Sequence, residues 1–119
     1  MELGWLDVCI RTSNIERSID FYTKLGFRVV DGNPVEGWTI LVDGERRIGL
    51  FAPQFMSTPF SLNFRGGNIQ AIADGFLASG IEFSSEPKIR DDGSGSFEIR
   101  DPDGNLIFFD SAPNEVKPE

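Results

Sequence analysis

The sequence predicts an α+β fold in which one βαβββ module occurs twice. Three observations predict it: an internal repeat, two helix patterns that each follow an alternating strand pattern, and turn residues that separate further strands after each helix. The 119 residues suffice for one core, so we expect a single domain over residues 1–112 and a polar tail over 113–119. The modules would cover residues 4–52 and 60–111, with a linker over 53–59.

The internal repeat has an offset of 54 residues, which is the separation of Asn14 and Asn68. The same offset relates further residues of identical type, namely Arg11 to Arg65, Ile15 to Ile69 and Gly26 to Gly80. The two copies are therefore predicted to have the same local structure.

A helix is predicted in each copy. Ser13 and Glu16 have the spacing of a capping box, which is typical of a helix start. Apolar residues then recur every three or four positions, and a glycine follows where a left-handed residue would end the helix. The apolar positions are Ile15, Ile19, Tyr22 and Leu25 before Gly26, and Ile69, Ile72, Ala73, Phe76 and Leu77 before Gly80.

Strand candidates flank both helices. Leu6–Thr12 and Phe60–Arg65 precede them, and apolar and polar residues alternate in each, which is typical of a strand with two different faces. Three candidates follow each helix: Phe27–Asp31, Trp38–Val42 and Arg47–Ala52 in the first half, and Ile81–Phe83, Gly95–Arg100 and Asn105–Asp110 in the second. Asp-Gly and Asn-Pro turns separate them.

Composition excludes several classes of partner. A formal net charge of −8 disfavours nucleic acid, because a phosphate backbone would repel the chain. The longest apolar run without glycine, Leu106–Phe109, is too short to span a bilayer. Cys9 is the one cysteine, and no signal peptide is visible at the start, so we expect a cytoplasmic protein.

Two motifs resemble a known superfamily. Residues 13–27, SNIERSIDFYTKLGF, resemble the opening helix of the vicinal oxygen chelate superfamily, which includes glyoxalase I, bleomycin resistance proteins and extradiol dioxygenases. Residues 97–105, FEIRDPDGN, resemble its closing hairpin. The resemblance implies paired βαβββ modules whose mixed sheet curls around a cleft, and a homodimer.

The resemblance also implies a divalent metal ion held by His and Glu side chains. The four family positions fall on Asp7, Ile48, Ser61 and Phe108, and the sequence contains no His. Divalent metals need several nitrogen, thiolate or carboxylate donors, and here Asp7 alone is anionic. We therefore expect neither a metal nor another cofactor, and enzymatic activity stays open, with the sequence leaning against it.

Strand alternation predicts which side chains line the cleft. If Asp7 faces inward, Cys9 and Arg11 lie beside it, with Asn63 and Arg65 opposite. The predicted ligand-binding residues are Asp7, Cys9, Arg11, Trp38, Ile48, Leu50, Ser61, Asn63, Arg65 and Phe108. The middle strand could present Trp38 and Ile40 or else Thr39 and Leu41. The two arginines could pair with Asp7, Asp110 or other carboxylates, or could clamp an anionic ligand.

Three functions are compatible with these residues. The leading hypothesis is a metal-independent protein that sequesters or transports a small molecule, as bleomycin resistance proteins do. The alternative is a lyase, isomerase or dioxygenase with an atypical metal site, or with Asp7 as a metal-free acid–base catalyst. The third is an interaction module whose cleft is filled by its own side chains.

Overall fold

The computed structural model describes residues 2–115 and 117, and its elements follow the predicted order. The first module contains β1 (Gly4–Arg11), α1 (Ile15–Lys24), β2 (Arg28–Asn33), β3 (Trp38–Asp43) and β4 (Arg46–Phe51). The second contains β5 (Phe60–Gly66), α2 (Ile69–Ala78), β6 (Ser85–Ile89), β7 (Gly95–Arg100) and β8 (Leu106–Ser111). The α+β class and the repeated βαβββ module are confirmed.

Both modules have the same strand order. In the first, the strands lie in the order β2-β3-β4-β1, with β1 parallel to β4 and antiparallel pairs elsewhere. In the second, the order is β5-β8-β7-β6, with β5 parallel to β8. In each module, the helix and the two strands after it form the long connection that the parallel pair requires.

Contacts divide the chain into two compact units. One comprises Asp7–Ser61, and the other comprises Leu62–Lys117 together with the segment that ends at Leu6. In the latter unit, a Cβ atom at Gly66 would lie 2.3 Å from the ring of Trp5, so only glycine fits under that ring. A single domain over residues 1–112 remains a prediction, and residues 116, 118 and 119 of the predicted tail lie outside the described residues.

Asparagines cap both helices, and the predicted capping box at Ser13 is wrong. Asn14 Oδ1 accepts the N–H of Arg17 at 3.1 Å, and Asn68 Oδ1 accepts the N–H of Ala71 at 3.0 Å. An Asn oxygen satisfies an exposed donor of the first turn as well as a Ser hydroxyl does, so the repeated Asn was the better signal. The helix-ending glycines are confirmed, with positive φ at Gly26 and Gly80.

The cap of α2 gives a first prediction. We expect Asn68→Ala to lower the free energy of unfolding by about 1 kcal/mol, because the Ala71 N–H loses its acceptor. Asn68→Asp keeps an acceptor at the same place and serves as the control. Equal urea midpoints for the two variants would contradict this role of Asn68.

The core of the second unit lies between α2 and strands β7 and β8. Its buried members are Ile69, Ile72, Ala73, Phe97, Ile99 and Phe109. The rings of Phe97 and Phe109 stack with centroids 4.9 Å apart, and Phe76 and Phe83 contact Phe97 edge-on. The helix therefore covers one face of this sheet and leaves the opposite face for other contacts.

The sixth strand was predicted in the wrong place. Ile81 and Phe83 do not form a strand but pack against the core below α2. Strand β6 instead starts at Ser85 and contains Pro87 beside a register shift between Ser85 and Lys88. Proline is tolerated here because β6 is the last strand of this order and pairs on one side only. Within the described residues, neither helix is long and apolar enough to cross a bilayer.

Candidate functional site

In the first module, strand register determines which side chains share a face with Asp7. Cys9 lies beside Gly49, which in turn lies beside Ile40. Neighbouring residues of paired strands project to the same side of a sheet. Trp38 lies beside Phe51 in the same way, and their rings stack at 6.3 Å. The middle strand therefore presents Trp38 and Ile40, and not Thr39 and Leu41, on the face of Asp7.

Ile48 and Leu50 lie on the other face of this sheet, so the prediction that they line a pocket with Asp7 is wrong. Ile48 pairs with Val8, and Leu50 pairs with Ile10, both on the face that alternates with that of Asp7. The error came from aligning the two Asp-Gly turns. Asp43 pairs with Arg46 across two residues, whereas the second hairpin pairs Arg100 with Leu106 across five. An odd difference in loop length reverses the face.

Arg47 is the residue that lies on the face of Asp7, and the two form a buried ion pair. Arg47 Nε donates to Asp7 Oδ1 at 2.5 Å, and both side chains are almost completely buried. A charge-assisted bond of this length compensates part of the cost of burying each charge. Each charge therefore depends on the other to offset the cost of its burial.

The divalent metal ion that the resemblance implies does not fit these residues. Asp7 already accepts a bond from a guanidinium, so a positive charge lies where a cation would need donors. Among the described residues, no three His, Cys, Asp or Glu side chains are grouped so that they could hold a metal ion. Ser61 is a weak neutral donor, and Phe108 and Ile48 are hydrocarbon side chains.

A groove opens on the face of the second module that faces away from α2. Its volume is about 570 Å³. Register places one row of side chains across four strands, because Arg65 pairs with Asp110, Asp110 with Ser96, and Ser96 with Lys88. We call this the second-module groove. Its lining includes the charged side chains and one aromatic ring, namely Arg65, Lys88, Arg90, Asp110, Glu115 and Phe108.

Arg65 is held by two carboxylates at one end of the second-module groove. Its Nη2 lies 3.0 Å from Glu115 Oε1, and its Nε lies 3.8 Å from Asp110 Oδ1. Asn63 donates to Asp110 Oδ1 at 3.0 Å and to the Phe108 carbonyl at 3.2 Å. Of the alternatives for Arg65, the ion pair with Asp110 is thus observed, and the second carboxylate comes from the tail.

Arg90 lies at the rim of the second-module groove, beside a hydrogen-bonded turn. Its Nη1 donates to Ser94 Oγ at 3.2 Å. The hydroxyl and the backbone N–H of Ser94 both donate to Asp92 Oδ1, and these hydrogen bonds hold the pKa of Asp92 below its usual value. The turn therefore fixes the partner of Arg90.

The predicted site residues fall into separate sets. Asp7, Cys9 and Trp38 share a face of the first module, and Ser61 is buried in the same unit. Asn63, Arg65 and Phe108 come together in the second module, whereas Arg11 is exposed. The residues that the sequence analysis missed are Arg47, Lys88, Arg90 and Glu115. Alternation along β4 and β6 was a usable signal for Arg47 and Lys88. Arg90 directly follows β6, and nothing in the tail pointed to Glu115.

Comparisons with known proteins agree with this fold. Residues 4–109 match the family model of the Glyoxalase/Bleomycin resistance protein/Dioxygenase superfamily. A solved NAD-dependent benzaldehyde dehydrogenase from Legionella pneumophila is 20% identical, with a TM-score of 0.74 over 91% of this chain and 99% of that one. A superfamily member from Vibrio splendidus 12B01 is also 20% identical, with a TM-score of 0.64 over 90% and 97%. No curated protein sequence matches the chain.

Proposed function

Because the chain belongs to the glyoxalase/bleomycin resistance protein/dioxygenase superfamily, we propose that it binds a small molecule in the second-module groove and acts by sequestration. The observation that carries this proposal is the groove itself, in which a row of polar side chains runs beside the ring of Phe108. Sites for small molecules typically combine apolar walls with a few placed polar groups.

The size of the second-module groove also suits this role. Ligand pockets in proteins span roughly 300–1,000 Å³, and the groove holds about 570 Å³. Phe108 stands at one of the four family metal positions, where its ring offers an apolar surface instead of a donor atom. The residues of this groove therefore support binding more than metal chemistry.

A compound panel tests the proposal. We expect metabolites or antibiotics in the panel to raise the melting temperature of the protein, because a ligand that binds only the folded state stabilises it. For the best hit, Phe108→Ala should weaken binding about tenfold by calorimetry, since an aromatic contact and its buried area are lost.

Phe60→Ala is the matched control, because Phe60 is exposed and does not line the second-module groove. Equal losses of affinity in the two Phe variants would place the ligand elsewhere. A panel without a single hit would count against the binding function.

The enzymatic alternative receives no support from Asp7, its proposed acid–base residue. Asp7 is 0% exposed and accepts a hydrogen bond from Arg47, so a substrate in solution has no access to its carboxylate. A cytoplasmic location and a homodimer remain predictions. The exposed apolar side chains of Phe21, Leu25 and Leu77 are surfaces that a second copy could cover.

A further inference from the structure

We infer that the second-module groove takes a ligand with a carboxylate and an apolar body, and that this carboxylate binds Arg65 in place of Glu115. The inference rests on the proposed function, because it names the ligand class of the same groove. It follows from the charges of the groove, from the origin of Glu115 and from the position of Phe108.

The second-module groove is more cationic than the chain around it. The described residues that line it include three cationic side chains, Arg65, Lys88 and Arg90, and two anionic ones, Asp110 and Glu115. The whole chain carries 11 basic and 19 acidic residues, for a net charge of −8. A local excess of positive charge on an acidic protein favours an anionic ligand at this place.

The two carboxylates at Arg65 are held differently. Asp110 belongs to β8 and is fixed by Asn63, whose Nδ2 donates to it at 3.0 Å. Glu115 comes from the segment after β8, outside every strand. Asp110 is therefore a permanent part of the second-module groove, whereas Glu115 can leave without breaking the sheet.

The segment that carries Glu115 closes on itself. The N–H of Glu115 donates to the Ala112 carbonyl at 3.1 Å, and Oε2 of Glu115 accepts the Ala112 N–H at 2.6 Å. Asn114 between them has a φ of +58°, a left-handed conformation that is uncommon for a residue other than glycine. The carboxylate of Glu115 thus occupies Arg65 through Oε1 alone, as an internal substitute for a ligand carboxylate, which could offer both of its oxygens to the guanidinium.

Phe108 specifies the rest of the ligand. It pairs with Asn63 and lies two residues along β8 from Asp110, on the same face, so its ring is adjacent to the charged row. Ile89 also lines the second-module groove. An apolar body that packs on Phe108 would place its carboxylate toward Arg65, with Lys88 farther along the row.

Three probes of one shape test the charge of the ligand on the full chain. They are 2-naphthoate, 2-naphthylmethanol and 2-naphthylmethylammonium, measured by calorimetry against the wild type and Glu115→Gln. We expect 2-naphthoate to bind tightest, and Glu115→Gln to bind it about tenfold more tightly, because the competing charged partner of Arg65 is removed. The affinity for the neutral alcohol should not change.

Glu45→Gln is the matched control, because Glu45 is exposed in the β3–β4 hairpin and its substitution changes the net charge equally. It should leave the affinity for 2-naphthoate unchanged. Arg65→Gln should remove the preference for the anion over the alcohol. Should that variant fail to fold, Lys88→Gln at an exposed position should reduce the same preference.

The outcomes separate the inference from the proposed function. If the alcohol binds as tightly as 2-naphthoate and Phe108→Ala weakens both, the groove binds small molecules but the anionic class is wrong. Equal affinity of Glu115→Gln and wild type for 2-naphthoate overturns the displacement of Glu115. If none of the probes binds, the inference fails, and the compound panel alone decides the proposed function.

Discussion

Replacing Arg47 by methionine is expected to lower the free energy of unfolding by about 3–5 kcal/mol, because it leaves the Asp7 carboxylate buried without its guanidinium. Asp7→Leu should cost a similar amount for the converse reason. The double variant Asp7→Leu/Arg47→Met should recover most of the loss, since apolar residues of similar volume often replace a buried ion pair without penalty. Urea denaturation of the four proteins gives the coupling directly.

Arg46 provides the control for this cycle. It is the neighbouring arginine, and it pairs with Asp43 at 2.9 Å on an exposed hairpin. Arg46→Met should therefore cost about 1 kcal/mol or less. If Arg46→Met and Arg47→Met shift the urea midpoint equally, the Arg47 pair contributes no more than a surface pair. If the double variant loses the sum of the two single losses, Asp7 and Arg47 act independently.

The Phe97→Ala variant is expected to lose about 3–5 kcal/mol of unfolding free energy, the second large effect. Phe97 is 1% exposed and contacts three other rings, those of Phe76, Phe83 and Phe109. Removing its ring leaves a cavity between α2 and the sheet that stiff aromatic neighbours fill poorly. Thermal and urea unfolding both report the change.

Phe21→Ala is the comparison for this variant, because Phe21 lies on α1 and is 57% exposed. Its loss should stay within about 1 kcal/mol, as is usual for exposed positions. Similar losses for the two variants would mean that the rings around Phe97 rearrange to close the cavity.

Most of the fold could be predicted because its signals are local. Alternating residues and turn glycines placed seven of the eight strands to within about two residues, and Asn14 and Asn68 marked equivalent points of the repeat. The remaining strand, β6, was misplaced because Ile81 and Phe83 alternate like a strand but pack against the core under α2. Burial there follows from tertiary contacts, which periodicity alone does not report.

The site was harder to predict because it depends on register and on a distant segment. Alternation in β5 and β8 predicted that Arg65 and Phe108 share a face, and the strand pairing shows that they do. Ile48 was misassigned and Arg47 was missed because the β3–β4 loop is three residues shorter than the β7–β8 loop. This odd difference reverses which residues of β4 share the face of Asp7, and an alignment of the two Asp-Gly motifs does not take it into account. Glu115 reaches Arg65 through a turn with a left-handed asparagine, and no simple residue pattern specifies that contact.

The place of Trp5 over Gly66 has a consequence for how the two modules can be treated experimentally. Leu3 packs against the core around α2, and Trp5 covers the glycine that precedes this helix, although both residues come from the start of the chain. The duplicated modules are therefore not the pieces into which the molecule divides. Cleavage in the linker over residues 53–59 would release a carboxyl-terminal fragment that lacks part of its own core, so the second half of the duplication needs the start of the chain to complete its packing.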